Sequence, residues 1–404
     1  MRFSYKNISE AGTRFAKGHS PKHVFVFGAG LSVPAGAPSA THLLKRAILW
    51  NLAARKSINT NLVDSFCDYF YPSLTRAKAE FPDAEDMLGL MDAAQEYDSI
   101  RGRGRGYKWR AGYLLDARRQ LVRLLGEFLW SFQNEGTFKK ILFIRNVVRK
   151  YPSNTVFVTF NYDLLLETAL TQENIEFSYA VDKNNSSRNV VLKPHGSINW
   201  FDPAEHTKAK KWQQEKCVEF LKRIWIFTEA YPTFLNDGIN PPYILIAPTP
   251  HKQIELEFLK RQWTSFSSSI HSCPNITIVG YSLPAADRLA RIVLRRGGSP
   301  HNTKRRITVI DPNPDLAEHY QKNISPRINY AQDYSKTISR SPTASPACMD
   351  WRLPGCAARS PRRSPRSASC CRAPEAAPVR RGPCSRRQAL GARSSDRNWD
   401  SRRA

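Results

Sequence analysis

Six short, nearly unbroken apolar segments recur along the first 335 residues, and they constrain the fold more than any other feature. Val, Ile and Phe dominate these segments without alternating with polar residues, which is typical of parallel strands covered on both faces. The segments are 23–27, 155–160, 189–193, 243–247, 275–282 and 306–311. Amphipathic patterns typical of helices occur between several of them, at 114–132, 137–151, 254–270 and 286–296. The alternation predicts an α/β fold with a doubly wound, mostly parallel sheet.

The first two apolar segments are separated by a stretch that is too long for a single crossover connection. Its sequence reads mostly as helix and loop. We therefore predict one domain over residues 1–335, with a helical insertion at about residues 50–150.

The last 69 residues, 336–404, differ in kind from the rest. They contain fifteen Arg and one Lys against four acidic residues, and so carry +12 of the formal net charge of +26. With few aromatic or β-branched residues they cannot bury a core, and we predict that they are disordered. We interpret the segment as the product of a frameshift near Lys336. The alternative is a genuine basic arm, and we expect a nucleic-acid partner only through such an arm.

Localisation and metal content are also constrained by the sequence. No apolar run reaches the roughly 18 residues of a membrane helix, and the N-terminal residues lack an apolar signal core, so we expect a cytoplasmic protein without membrane contact.

Cys67, Cys217 and Cys273, the cysteines before residue 336, are isolated from one another. Because they form no CxxC pair, we expect buried apolar side chains and no zinc.

The stretch "GAGLSVPAGAPS" follows the first apolar segment directly. A strand, a glycine turn and a helix from about Thr41 are the order found in a Rossmann-like sheet, where backbone N–H groups face a diphosphate. The spacing departs from GxGxxG because Val33 stands at the third glycine position. No acidic residue occurs between Ala11 and Val63, where a dehydrogenase carries the one that binds ribose. The loop therefore favours a dinucleotide site and argues against hydride transfer.

Polar residues follow two further strands. Asn161 and Asp163 come after the second apolar segment, and His195 after the third. Ligands collect at the carboxyl ends of parallel strands, which makes all three candidates for a site. The alternatives are that Asn161 or Asp163 only caps the following helix, and that His195 is a structural residue.

The last two apolar segments end in groups that can bond a ribose or a phosphate. Gly280 and Ser282 lie in "IVGYSLPAAD", and Asp311 in "ITVIDPNP". Five strand ends with small or polar residues predict one shared binding edge.

Taken in order, "GAGLSVPAGAPS", "TFNYD", "KPHGS", "VGYSLP" and "VIDPNP" resemble the SIR2-like domain, the sirtuin-related NAD-binding family, and within it the branch associated with bacterial antiphage defence. The resemblance extends from about Lys22 to Tyr334. It implies that Asn161 and Asp163 hold the nicotinamide ribose and carboxamide and that His195 is the catalytic base. It further implies contacts to the rest of NAD, with the central pyrophosphate lined by Gly28, Ala29, Gly30 and Ser32, and the adenosine half by Gly280, Ser282 and Asp311.

The sequence departs from the protein-deacylating branch of that family. Ser39 and Ala40 follow Pro38, where the deacylases carry Asp-Phe-Arg, and the paired CxxC of their zinc module is missing before residue 336. The resemblance then implies hydrolysis of NAD to ADP-ribose and nicotinamide, with NAD as substrate, and control by a homo-oligomer or by a regulatory or phage-sensing partner. NAD-dependent protein deacylation, ADP-ribosyl transfer and a non-catalytic NAD or ADP-ribose sensor stay as alternatives.

Overall fold

The fold is described from a computed structural model of the chain. The structure describes residues 11–12, 20–53, 58–73, 81–101, 111–134, 141–179, 181–182, 189–201, 217–220, 224–227, 243–247, 257–297 and 305–332. The strands are β1 (Ala11–Gly12), β2 (His23–Phe27), β3 (Thr155–Thr159), β4 (Phe177–Ser178), β5 (Val181–Asp182), β6 (Asn189–Leu192), β7 (Gly196–Phe201), β8 (Cys217–Phe220), β9 (Ile224–Phe227), β10 (Tyr243–Leu245), β11 (Asn275–Val279), β12 (Arg306–Ile310) and β13 (Ile328–Ala331). The helices are α1 (Ala40–Ala53), α2 (Asn61–Phe70), α3 (Ala84–Arg101), α4 (Ala111–Asn134), α5 (Leu142–Lys150), α6 (Leu165–Gln172), α7 (Glu257–Ser272), α8 (Arg288–Gly297) and α9 (Asp315–Asn323).

Seven strands form the main sheet, in the order β13-β12-β11-β2-β3-β6-β4. Every neighbouring pair in it is parallel. The connection after β2 leads to one side of the sheet and β11 lies on the other, so the strand order reverses between β2 and β11. This arrangement confirms the predicted doubly wound, mostly parallel α/β sheet.

Successive side chains of the sheet enter two apolar cores. Phe25 and Phe27 of β2 pack with residues of α5 and α6 on one face. Val24 and Val26 pack with residues of α7, α8 and α9 on the other. Burial on both faces explains why these strands read as unbroken apolar segments.

A third core belongs to the helices between β2 and β3. Residues of α1, α2, α3 and α4 share it, with Trp130 of α4 fully enclosed. Helix α5 packs instead on the sheet. These five helices lie within or next to residues 50–150, where the sequence predicted a helical insertion.

One predicted strand lies in a different sheet from the one expected. Residues 243–247 were read as part of the parallel sheet, but β10 joins a four-stranded sheet in the order β10-β7-β9-β8, whose pairs are antiparallel. Tyr243, Ile244 and Leu245 are all buried, because the strand is covered by α4 as well as paired with β7. An edge strand covered on both faces carries the same apolar signal as a central parallel one.

The contacts divide the chain into the units Met1–Trp351 and Arg352–Ala404. The predicted disordered tail, 336–404, lies outside the described residues. In the parts that are described, no helix is both long and apolar enough to cross a bilayer.

Candidate functional site

Four central strands end at one level, because their pairing registers place Val279 beside Phe27 and Ile310, and Phe27 beside Thr159. The chain leaves this carboxyl edge through segments that carry the predicted site residues. Neighbouring strand ends in an open α/β sheet form the crevice in which ligands bind.

The glycine loop after β2 packs against the loop after β11. The N–H of Gly28 donates to Val279 O at 3.1 Å, and the N–H of Gly30 donates to Gly280 O at 2.9 Å. A Cβ on Gly30 would lie 2.7 Å from Gly280 Cα, and a Cβ on Gly280, whose φ is +59°, would lie 2.6 Å from Leu31 N. These glycines are required for the close approach of two backbones, and their two N–H groups are used within the protein rather than facing outward.

Ser32, Asn161 and Asp163 form a directed chain of hydrogen bonds between the β2 and β3 ends. Asn161 Nδ2 donates to Gly28 O at 3.0 Å and to Ser32 Oγ at 2.9 Å, and Ser32 Oγ donates to Asp163 Oδ2 at 2.7 Å. Because a backbone carbonyl only accepts, the orientation of the Asn161 amide is fixed. Both of its N–H bonds are used, which leaves the carbonyl Oδ1 as the atom through which Asn161 can address a ligand.

Asp163 also serves the helix that follows it. Its Oδ1 accepts the N–H of Leu165 at 3.1 Å, at the first turn of α6. This bond closes a turn just before α6, whose N-cap is Leu164 and lacks a side-chain cap, while the second oxygen of Asp163 faces Ser32. Asn161 does not cap: its side chain reaches across to the β2 loop.

His195 follows β6, the strand that pairs with β3 in the sheet. The ring of Phe160, one residue before Asn161, is 4.8 Å from the His195 ring, centroid to centroid. The His195 side chain is only 2% exposed, with Trp263 on another side at 6.0 Å. The structure thus brings His195 to the predicted edge and encloses its ring in an aromatic setting.

The turn that carries His195 is held by β10. Gly196 has φ +90°, and a Cβ there would lie 1.9 Å from Ile244 O. The N–H of Ile246 donates to His195 O at 2.7 Å. The apolar segment 243–247, which the sequence placed in the wrong sheet, therefore fixes the backbone at the candidate base.

Asp287 was not among the predicted site residues, and it contacts His195 directly. Its Oδ2 lies 3.1 Å from His195 Nε2 and accepts the Tyr281 hydroxyl at 2.7 Å. Burial and the nearby Asp287 charge raise the pKa of Tyr281 well above its ordinary value. Asp287 ends the motif "IVGYSLPAAD", but the motif alone does not connect it with His195, because the contact joins the loops after two different strands.

A buried ion pair, also missed by the sequence analysis, supports the Asp163 backbone. Lys193 Nζ lies 3.0 Å from Glu167 Oε1, with neither side chain exposed, and also donates to Asp163 O at 2.5 Å. The Tyr179 hydroxyl donates to the same Glu167 oxygen at 3.0 Å. Lys193 precedes the motif His195-Gly196-Ser197, so this network ties the β6 end to the β3 end.

The residues predicted for the adenosine half lie around the β11 and β12 ends. The N–H of Gly280 donates to Ile310 O at 3.0 Å, and Ser282 is exposed. Asp311 accepts the N–H of Asn313 at 2.9 Å, and burial raises the pKa of its carboxyl. Ala29 is partly exposed and Gly30 exposed, which leaves this side of the edge open to a ligand.

A cavity and the search for metal ligands complete the description of the structure. A cavity of about 270 Å³ is lined by Arg46, Leu49, Trp50, Phe128 and Phe132, on α1 and α4. Within the ranges that the structure describes, no group of His, Cys, Asp or Glu side chains is placed to hold a metal ion.

Comparison with protein families gives a match to the SIR2-like domain over residues 155–335. The match contains Asn161, Asp163, His195 and Asp287, and begins after the glycine loop. It confirms the resemblance over that part of the chain. Among curated proteins none matches. A similar solved structure is titled "Structure of Sir2Tm bound to a propionylated peptide". It is 12% identical, with 80% of this chain and 92% of that chain covered and a TM-score of 0.28, a likeness that supports no inference about the site.

Proposed function

Because residues 155–335 match the SIR2-like domain, we propose that the protein is an NAD⁺ glycohydrolase, which breaks the nicotinamide–ribose bond of NAD⁺ to give ADP-ribose and nicotinamide. The observation that supports this most is the hydrogen-bond chain from Asn161 through Ser32 to Asp163, set beside His195 at adjoining strand ends. Residues more than a hundred positions apart in the sequence are combined there into one polar cluster.

The chemistry of nicotinamide as a leaving group determines which catalytic groups the protein must supply. Nicotinamide departs from NAD⁺ as a neutral molecule, since the ring nitrogen that carries the positive charge takes both electrons of the broken bond. No general acid is needed. The site must stabilise positive charge that develops on the ribose and must position a water for attack.

Asn161 is suited to positioning. With both N–H bonds used by Gly28 O and Ser32 Oγ, its amide cannot rotate without losing two hydrogen bonds. Its Oδ1 is then a fixed acceptor, which suits an attacking water or a ribose hydroxyl. This role follows from the amide geometry and does not require Asn161 to change charge.

Asp163 and His195 supply charge and basicity in this proposal. The Asp163 side chain accepts a hydrogen bond from the Ser32 hydroxyl, and a buried carboxylate there would stabilise a cationic ribosyl centre nearby. His195 accepts the proton of the attacking water, a role that contributes about 10²–10⁴ in rate.

The remaining predicted contacts complete the placement of NAD. Ala29 and Gly30, with Gly28 and Ser32 behind them, face the pyrophosphate, and Gly280, Ser282 and Asp311 face the adenosine half. We include in the proposal a domain of residues 1–335, a role in bacterial antiphage defence in the cytoplasm, and control by self-assembly or by a partner protein.

One observation favours a second candidate. The His195 ring is 2% exposed, as expected for a protein that binds NAD or ADP-ribose without turning it over. Such a sensor would bind NAD and leave it intact.

Incubating purified protein with NAD⁺, with and without an acetyl-lysine peptide, separates these functions. A glycohydrolase forms free ADP-ribose in both reactions. A deacylase forms O-acetyl-ADP-ribose only when the peptide is present, an ADP-ribosyltransferase attaches ADP-ribose to protein, and a sensor forms no product. Repeating the reaction with residues 336–404 removed shows whether the tail alters the activity.

A further inference from the structure

We infer that Asp287 is a positioning residue for His195, fixing which ring nitrogen takes the proton from the attacking water. The inference rests on the proposed hydrolysis of NAD⁺. Nothing in the sequence pattern assigned Asp287 a role, and it reaches His195 from the loop after β11, whereas His195 follows β6.

The distance to the carboxylate determines the tautomer that we expect for the ring. Asp287 Oδ2 lies 3.1 Å from His195 Nε2, and neither side chain is more than 2% exposed. A carboxylate accepts hydrogen bonds, so the neutral ring carries its proton on Nε2 and its lone pair on Nδ1. Nδ1 is then the atom that accepts a proton.

The loop that delivers Asp287 is fixed at several points. Gly280 and Leu283 have φ of +59° and +55°, and a left-handed conformation is unfavourable for leucine. The Tyr320 hydroxyl donates to Tyr281 O at 2.6 Å, and His319 Nε2 lies 3.2 Å from Leu283 O. A strained backbone held this way maintains one position for the carboxylate.

Titratable and charged groups from several elements surround the pair. Tyr281 donates to Asp287 Oδ2 at 2.7 Å, and Tyr162 is buried nearby with its pKa raised by burial and, among other charges, by Asp287. Glu85 on α3 acts on both tyrosines, Arg118 acts on Tyr162, and Lys193 two residues before His195 is paired with Glu167. Asp287 contacts the ring directly.

The step this arrangement serves is the attack of water. The water oxygen bonds to the ribose carbon that nicotinamide leaves, and the electrons of the broken bond pass to nicotinamide nitrogen. One water proton moves to His195 Nδ1, while Nε2–H keeps its bond to Asp287. The carboxylate stabilises the imidazolium that results and does not itself take up the proton.

The test is the pH–rate profile of Asp287→Asn. The base works only when neutral, so activity falls at low pH as the ring protonates. Removing the carboxylate charge destabilises the imidazolium, so the acid limb of the profile moves to lower pH. The rate on the plateau falls by at least about tenfold, and by no more than the factor of about 10²–10⁴ that a general base contributes. Tyr281→Phe removes a hydrogen bond from the carboxylate but keeps its charge, so its acid limb moves the opposite way.

Glu173→Gln is the matched control. It removes a carboxylate that pairs with Arg145 and Arg149, next to the C-terminal end of α6, and is expected to leave the limb in place. Nitrogen NMR of the His195 ring, assigned among the nine histidines with His195→Asn, gives a readout independent of activity. We expect the neutral His195 ring of the wild type to carry its proton on Nε2. In Asp287→Asn, the His195 ring is expected to take up its second proton at lower pH than in the wild type.

The two proposals fail separately. If the wild type does not cleave NAD⁺ but the ring has the Nε2–H form and responds to Asp287→Asn, the proposed function is wrong and the pairing stands. Two results would overturn the role of Asp287. One is a neutral His195 ring that carries its proton on Nδ1. The other is an acid limb and a ring titration that are the same in the wild type, in folded Asp287→Asn and in folded Tyr281→Phe.

Discussion

The N–H of Gly30 donates to the carbonyl of Gly280 at 2.9 Å, so the loops after β2 and β11 touch through their backbones where the strand order of the sheet reverses. The first loop carries the predicted pyrophosphate contacts, and the second carries Asp287. A dinucleotide bound at this edge would depend on both loops keeping their contact.

Gly280→Ala is expected to disrupt this contact. Its φ of +59° is unfavourable for alanine, and the added methyl would lie 2.6 Å from Leu31 N, so we expect a loss of both stability and NAD binding. Urea unfolding and NAD titration measure the two effects. Gly112→Ala in α4 is the control, because nothing lies within 4 Å of its added methyl; a similar loss in both variants would contradict the account.

The main sheet could be predicted from the sequence because β2, β3, β6, β11 and β12 are buried on both faces and read as apolar segments. The same signal misplaced residues 243–247, since β10 is equally buried in another sheet. An apolar segment indicates that a strand is buried, but it does not indicate which strand it pairs with.

The positions of Asn161 and His195 at the carboxyl edge of the sheet could be predicted, because each lies in the short segment that follows a strand. Asp287 and the Lys193–Glu167 pair could not be predicted, because their roles depend on contacts across the sheet. Asp287 extends from the β11 loop to the β6 end, and Glu167 contacts Lys193 from α6, the helix that follows β3. No local pattern encodes these distances.

Glu167→Ala is expected to destabilise the fold strongly. It would leave the Lys193 ammonium buried without its ionic partner, and removing one partner of a buried pair costs about 3–5 kcal/mol. Urea unfolding at pH 7 measures the loss. Glu318→Gln, at an exposed pair with Lys322, is the control and should leave the midpoint unchanged. An unchanged midpoint in Glu167→Ala would show that the pair contributes nothing.

Three buried tyrosines predict a loss of stability at alkaline pH. Burial raises the pKa of Tyr162, Tyr281 and Tyr320 well above the ordinary value of 10.0. The unfolded phenols therefore lose protons at lower pH than the folded ones, and the free energy of unfolding falls as pH rises above 10. Tyr320→Phe should reduce that slope, because it removes one of the three buried phenols. A slope in folded Tyr320→Phe equal to that of the wild type would be evidence against this.

Cys273 is expected to resist thiol reagents in the folded protein. Burial raises the pKa of its thiol to about 11, and the thiol donates to Asn275 O at 3.1 Å. Since the thiolate is the reactive form, iodoacetamide at pH 8 should label Cys273 only after unfolding in urea. Peptide mass spectrometry gives the extent of labelling, and equal labelling with and without urea would contradict the prediction.

The central claim is that NAD⁺ is hydrolysed at the cluster of Asn161 and His195. The most direct measurement is chromatography of NAD⁺ incubated with the purified wild type, Asn161→Ala and His195→Ala, each checked for folding by circular dichroism. The account predicts equal amounts of ADP-ribose and nicotinamide from the wild type, and a rate lower by about 10²–10⁴ in His195→Ala, with a comparable loss in Asn161→Ala. Intact NAD⁺ after incubation with the folded wild type, or wild-type rates in either variant, would contradict it.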